Sequence, residues 1–276
     1  MRLVRILLPI DHNGTTAACA DTAFGLAERF GVELEVLHAC PPPLQRLPYS
    51  TELSPIYYEE LADVARKQID LEESQATDWF ERRLGAHPEV KADLLTIEGL
   101  AGPAVAMRAK AADMTVLPSI AARENGLFGP ARDAAMFHSG RPVLIVPDEA
   151  GGPIGETVVI AWKDAVEAVR AVTAAAPFLA TAKRVRLLSV AEDGENDGDA
   201  TGFAMADYLA KAGVPVETAT IELGAREVGE ALLEAAGSGV LLVMGAYGHW
   251  RWREWVFGGA TLYVLRNTDV PVLMAH

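Results

Sequence analysis

VRILLPI (residues 4–10) and TVVIAWK (157–163) decide the fold. Both are rich in β-formers and almost wholly apolar. A strand with one wet face alternates apolar and polar residues. A continuous apolar run marks a strand covered on both faces, as in a parallel sheet. Each run is followed by a helical stretch, 14–30 and 164–180, and then by a second strand, VELEVLHA (32–39) and RVRLLSVA (184–191). Asp11 to Lys163 and His38 to Val190 share one offset of 152 residues.

The ends of the two halves match as well. RPVLIVP (141–147) resembles VPVLMAH (270–276), and Gly129 and Gly258 each lie 13 residues before a proline, Pro142 and Pro271. Here the offset is 129, so the first half holds 23 extra residues. They fall after its second strand, in a proline-rich loop and a long amphipathic helix that runs to Leu84. The second half has only EDGENDGDATGFAMADYLAKAG (192–213) in that place. A repeat of this length takes precedence over any single motif.

Strand three reads KADLLTIEG (91–99) and VPVETATIELG (214–224); strand four reads DMTVLPS (113–119) and GVLLVMG (239–245). The expected fold is therefore α/β, with two tandem doubly wound domains. Each has a five-stranded, mainly parallel sheet with helices on both faces. The expected boundaries are 1–148 for the first domain, 149–155 for a linker rich in glycine, proline and acid, and 156–276 for the second. The apolar last strands are expected to pair with each other, because bare apolar edges invite pairing. The extra helix carries Leu61, Val64, Ile69, Trp79 and Phe80 at helical spacing, which suits core packing or a homodimer of whole chains.

Composition narrows the function. Half of the 276 residues are hydrophobic and the net charge is −14, so a sizeable core is expected. The acidic balance argues against nucleic acid and anionic membrane as partners. Two cysteines, Cys19 and Cys40, make no disulfide framework, which points to a reducing, cytoplasmic compartment. No signal peptide or membrane span is expected.

Ligands of doubly wound sheets sit outside the carboxyl ends of the strands. In the second half, Gly245 ends strand four, Gly248 follows it, and Gly258 and Gly259 open the last helix. Glycine lets backbone approach a ligand, and a helix start offers free N–H groups and a partial positive charge. The N–H groups of Gly258, Gly259 and Ala260 and the Thr261 hydroxyl suit a nucleotide phosphate. The bland alternative is a set of strand and helix caps. HWRWREW (249–255) reads either as a lid whose Arg251 and Arg253 reach phosphates or as an amphipathic turn whose tryptophans pack on the sheet. His38 and Cys40 share one strand face and, with Cys19 or His12, suggest metal only weakly, so no metal site is assigned. No nucleophile elbow or triad serine is present.

ILLPIDHN (6–13), LEVLHA (34–39) and the closing VMGAYGHWRWREWVFGGATLYVLRNTDVPVL (243–273) resemble the universal stress protein family in its tandem two-domain form. The resemblance implies a fold like the adenine nucleotide alpha hydrolases. It also implies a stress-response protein that binds ATP or another adenine nucleotide, with Mg²⁺ on the phosphates, as a regulator or sensor with slow hydrolysis at most. Nucleotide-binding members carry Gly-x2-Gly-x9-Gly-Ser/Thr. Gly245, Gly248 and Gly258 keep that spacing; Gly259 replaces the Ser/Thr. Ala161 and Val190, at the ends of the second half's first two strands, complete the implied nucleotide site.

The first half keeps Pro9, Asp11, Ala39 and Gly129 as a degenerate pocket. Asp11 stands where the family's acid meets the base or ribose side, but Pro118 replaces a glycine and Pro130 removes an N–H donor. The second half has Lys163 in place of that acid. The alternative function is a non-nucleotide interaction or small-molecule-binding protein of the same fold. If Arg251 and Arg253 reach phosphates, changing both to Ala weakens ATP more than AMP in calorimetric titration, because AMP lacks the outer phosphates.

Overall fold

The structure, a computed structural model, describes residues 3–43, 55–120, 128–148, 152–191, 200–246 and 259–276. The first half runs β1 (Arg5–Ile10), α1 (Ala17–Phe30), β2 (Glu33–Cys40), α2 (Pro55–Ala86), β3 (Ala92–Glu98), α3 (Ala101–Ala109), β4 (Met114–Pro118), α4 (Phe128–His138) and β5 (Val143–Val146). The second runs β6 (Thr157–Trp162), α5 (Val166–Ala174), α6 (Ala176–Leu179), β7 (Arg184–Ala191), α7 (Ala200–Lys211), β8 (Val216–Glu222), α8 (Val228–Ala236), β9 (Leu241–Gly245), α9 (Gly259–Asn267) and β10 (Val272–Ala275).

The ten strands form one sheet in the order β3-β2-β1-β4-β5-β10-β9-β6-β7-β8. Every pairing within a half is parallel. The halves meet through their last strands, antiparallel, with Val272 opposite Ile145 and Met274 opposite Val143. The doubly wound fold and the pairing of the two closing strands thus match the sequence expectation. A two-fold relation at this joint keeps like helices on like faces. One core layer lies under α1, α5, α6 and the end of α2, and the other under α3, α4, α8 and α9.

The helix expected over 164–180 is two helices. Pro177, in the first turn of α6, has no N–H to continue the ladder of α5, so the chain breaks at Ala175. The first helix starts at Ala17 rather than residue 14 because the Thr16 side chain caps it, accepting from the Cys19 N–H. In α2, Ala62, Ala76, Trp79 and Phe80 are buried, whereas Val64 faces water, 64% exposed. The segment between the halves is a linker by composition, yet its end is docked. Ile154 packs on the core and its carbonyl accepts from Arg29 of α1, whose other N–H group donates to Thr181. Phe30 meets Phe178 edge to face across the same junction.

The outer strands are protected. β3 exposes Asp93 and Glu98, and β8 exposes Glu217 and Glu222, charges that discourage edge-to-edge association. Arg108, in the last turn of α3, grips Glu35 near the start of β2 with two N–H donors. The bond to Glu35 raises the Arg108 pKa above its usual value, against the smaller opposing effect of burial. Among the described residues, no helix is long and apolar enough to cross a membrane.

Gly14 closes the turn after β1 at φ +89°, and a Cβ there would fall inside the Trp79 indole of α2. Gly14→Ala is therefore expected to cost about 2–4 kcal/mol, combining backbone strain and overpacking. The measurement is the urea midpoint at unchanged slope.

Candidate functional site

In each half the chain builds outward from its first strand, then returns to the other side of it. The switch points are β1/β4 and β6/β9, and the crevice at the carboxyl ends of those strands is where a doubly wound sheet takes ligands. Because β5 and β10 are antiparallel, the two crevices open at opposite ends of the sheet. They cannot share one ligand.

In the second half, Ala161 lies near the end of β6, beside Leu188 and Met244. Val190 lies near the end of β7, opposite Ile221. Both belong to the layer under α8 and α9, so they share a side of the sheet with the start of α9. The helix begins at Gly259 and has no acidic residue in its first turn, so no side chain there opposes an incoming anion. Gly259 is exposed, and a Cβ on it would meet nothing within 4 Å among the described residues. Thr261 is buried, 5% exposed. The starts of α8 and α9 press together at Gly229, where a Cβ would lie 2.7 Å from Tyr263 Cβ and 2.9 Å from the Ala260 carbonyl. Gly102 and Pro130 make the counterpart contact between α3 and α4.

Gly245 has a different use from the one its motif suggests. A Cβ on it would lie 2.7 Å from the Ala168 nitrogen and 2.9 Å from Glu167 Cβ, both in α5. Its bare side therefore faces α5, on the other side of the sheet from Ala161 and Val190, and lets that helix settle on β9. Gly248, Arg251, Arg253 and Gly258 lie outside the described residues. Lys163 stands exposed just past the end of β6, where the first half has Asp11.

In the first half, Pro9 pairs with Leu37 on β2, and Ala39 with Ile97 on β3. Gly129 and Pro130 form the first turn of α4. Asp11 is part of its own turn: its backbone exchanges two hydrogen bonds with Gly14, and its Oδ1 accepts from the Asn13 N–H at 2.7 Å. At the counterpart of Thr261 stands Arg132, 7% exposed. Sequence reasoning passed over Arg132, and only its place on the inner face of α4 draws notice to it. His38, Cys40 and Cys19 are buried; among the described residues, no group of three or more His, Cys, Asp or Glu is placed to hold a metal ion.

Residues 4–147 match the sequence profile of the universal stress protein family, and the chain belongs to that family. A universal stress protein from Archaeoglobus fulgidus DSM 4304 superposes with a TM-score of 0.65 at 18% identity, covering 98% of this chain and 97% of that one. A functionally unknown protein from Pseudomonas aeruginosa PAO1 superposes with a TM-score of 0.58 at 14% identity, covering 99% and 92%. At these identities the likeness is one of fold. No curated protein matches the sequence.

The two glycines at the second-half crevice should behave oppositely on substitution. Gly245→Ala is expected to cost about 1–3 kcal/mol, because α5 must move. Gly259→Ala is expected to be neutral or to stabilise by up to about 1 kcal/mol, since alanine is the better helix former. Thermal unfolding of the two variants checks both signs.

Proposed function

We propose that this protein binds an adenine nucleotide in its second half and acts as a regulator or sensor within its family. The observation that carries the reading is the start of α9. A helix N-terminus with no acid in its first turn, led by a glycine that is exposed among the described residues, stands on the same side of the sheet as Ala161 and Val190 at the β6/β9 switch point. Base and ribose lie over Ala161 and Val190, and the phosphates meet the N–H groups of Gly258, Gly259 and Ala260. Lys163 supplies a cation at the rim, in a molecule whose net charge of −14 repels a triphosphate at long range. Mg²⁺ shields the outer phosphates, since it favours phosphate oxygens and water over many protein ligands. The functional units are residues 1–148 and 156–276, joined by 149–155, and the second carries the nucleotide.

A second reading has a specific observation behind it. Gly245 is used for helix packing and Asp11 for its own turn, so two residues of the family pattern have structural reasons to be present. On that reading the chain is an interaction or small-molecule-binding protein without nucleotide. Calorimetric titration with ATP, ADP and AMP, with and without Mg²⁺, separates the two. ATP binding strengthened by Mg²⁺ is expected; no heat with any nucleotide favours the second reading.

Two variants place the site. Gly258→Val is expected to weaken ATP far more than Asp11→Ala, because a branched side chain intrudes between backbone and phosphate, while Asp11 belongs to the other crevice. Equal losses would mean that the second half is the wrong place for the site. Gly259→Ser adds a hydroxyl where there is open space and is expected to tighten ATP about three- to tenfold, the worth of one hydrogen bond.

A further inference from the structure

Between the turn that follows β1 and the later part of α2 lies a cleft of about 180 Å³, lined by His12, Asn13, Gln75, Asp78, Trp79 and Arg82. Its place separates it from the nucleotide reading. Trp79 belongs to the core layer under α1 and the end of α2, whereas Ala39 and Ala161 of the two crevices belong to the other layer. The cleft is thus on the opposite side of the sheet from both. It is also peculiar to the first half. Gly14 seats the turn on the Trp79 indole, and at the offset of 152 residues Val166 stands in its place.

The lining groups hold unused bonding capacity. Asp78 and Arg82 are four residues apart on α2 with the acid first, the order that favours an ion pair on a helix. Asp207 and Lys211 on α7 have the same spacing and pair at 2.6 Å. Asp78 and Arg82 make no ion pair, with each other or with a third group, among the described residues. The neighbouring Arg83 is engaged already, with Asp21 and over the Trp79 ring. Trp79 is 8% exposed, and its edge carrying Nε1 lies nearest Gly14. A buried indole N–H usually has an acceptor; this one has none among the described residues. The Asn13 amide nitrogen contacts His12 Nε2 at 2.8 Å. An amide nitrogen only donates, so Nε2 accepts and Nδ1 carries the ring proton. That leaves His12 Nδ1–H as a further donor and Asn13 Oδ1 as a further acceptor.

We propose that this cleft is a binding site for a small zwitterion, an α-amino acid, with its carboxylate on Arg82 and its ammonium on Asp78. Charge balance selects that ligand. One carboxylate and one guanidinium line the cleft, so a simple anion leaves Asp78 unmatched and a simple cation leaves Arg82 unmatched. A zwitterion meets both. Being neutral overall, it is not repelled at long range by a molecule of net charge −14. The guanidinium takes a carboxylate through two parallel N–H bonds. His12 and Trp79 add N–H donors to that carboxylate, and Asn13 and Gln75 add amide oxygens to the ammonium. Size excludes a nucleotide, because pockets for drug-sized ligands begin at about 300 Å³.

The test uses the full chain, by ligand-observed NMR and calorimetric titration. The probes are glycine, L-serine and L-glutamine, beside propionate and ethylamine, which carry one charge each. At least one amino acid is expected to bind at millimolar concentration or below, with propionate and ethylamine about tenfold weaker or more. Asp78 and Arg82 are exposed, so Asp78→Ala and Arg82→Ala should keep the parental unfolding temperature. Each should weaken the amino acid about tenfold, the worth of one hydrogen bond to a charged group. Arg82→Lys keeps the charge without the fork and should lose less. Saturating ATP with Mg²⁺ should leave the amino acid titration unchanged, so the two sites stand or fall separately. The proposal is overturned if none of the three amino acids binds at millimolar concentration, or if propionate or ethylamine binds as well as they do. Parental affinity in both alanine variants overturns it too, as does displacement of the amino acid by ATP, which would place it in a crevice instead.

Discussion

The antiparallel pairing of β5 with β10 is the constraint on which the rest of the molecule depends. Each half is a five-stranded sheet whose last strand, VLIV or VLMA, is entirely buried. Left alone, either half would present an apolar edge with unmet backbone donors and acceptors. Joining the two edges satisfies the backbone, makes one ten-stranded sheet, and leaves as outer edges β3 and β8, whose acids suit them to water. The same joint sets the direction of everything else: it turns the two crevices to opposite ends and brings the end of α4 beside the end of β10.

Much of this was legible in the sequence, for a physical reason. Buried parallel strands must be continuously apolar, so VRILLPI, TVVIAWK and RVRLLSVA announce themselves, and β7 agrees with its expected span to the residue. The break between α5 and α6 was harder to read. Pro177 signals a change, but whether a proline kinks, ends or restarts a helix depends on what the flanking turns pack against. Val64 has the right period for a buried stripe, yet α2 is longer than the sheet it covers, and only one side of it finds a core.

The site was less legible, because glycine is read from sequence only as an absence. Gly245 and Gly259 belong to one motif and look equivalent in it. In the structure one faces a helix at contact distance and the other faces open space. No spacing rule separates them, since the difference lies in which element crosses which strand. The universal stress protein profile matches the first half, where the glycine spacing is lost. The features that identify the family are thus those of the folded frame, and the features proposed to hold phosphate lie elsewhere in the chain.

Covalent fusion of the two halves has a consequence for how the joint responds to its surroundings. Two separate chains joined along one short strand would part on dilution, and their association would be set by expression level. Here the short segment between Val146 and Thr157 keeps each partner strand at an effective local concentration of order millimolar, whatever the amount of protein present. Fusion also frees the two copies from identity. In a symmetric pair of like chains, any loss in one crevice is a loss in both. Within one chain a proline can enter the first crevice while the second keeps its spaced glycines, so a structural repeat can become a division of labour.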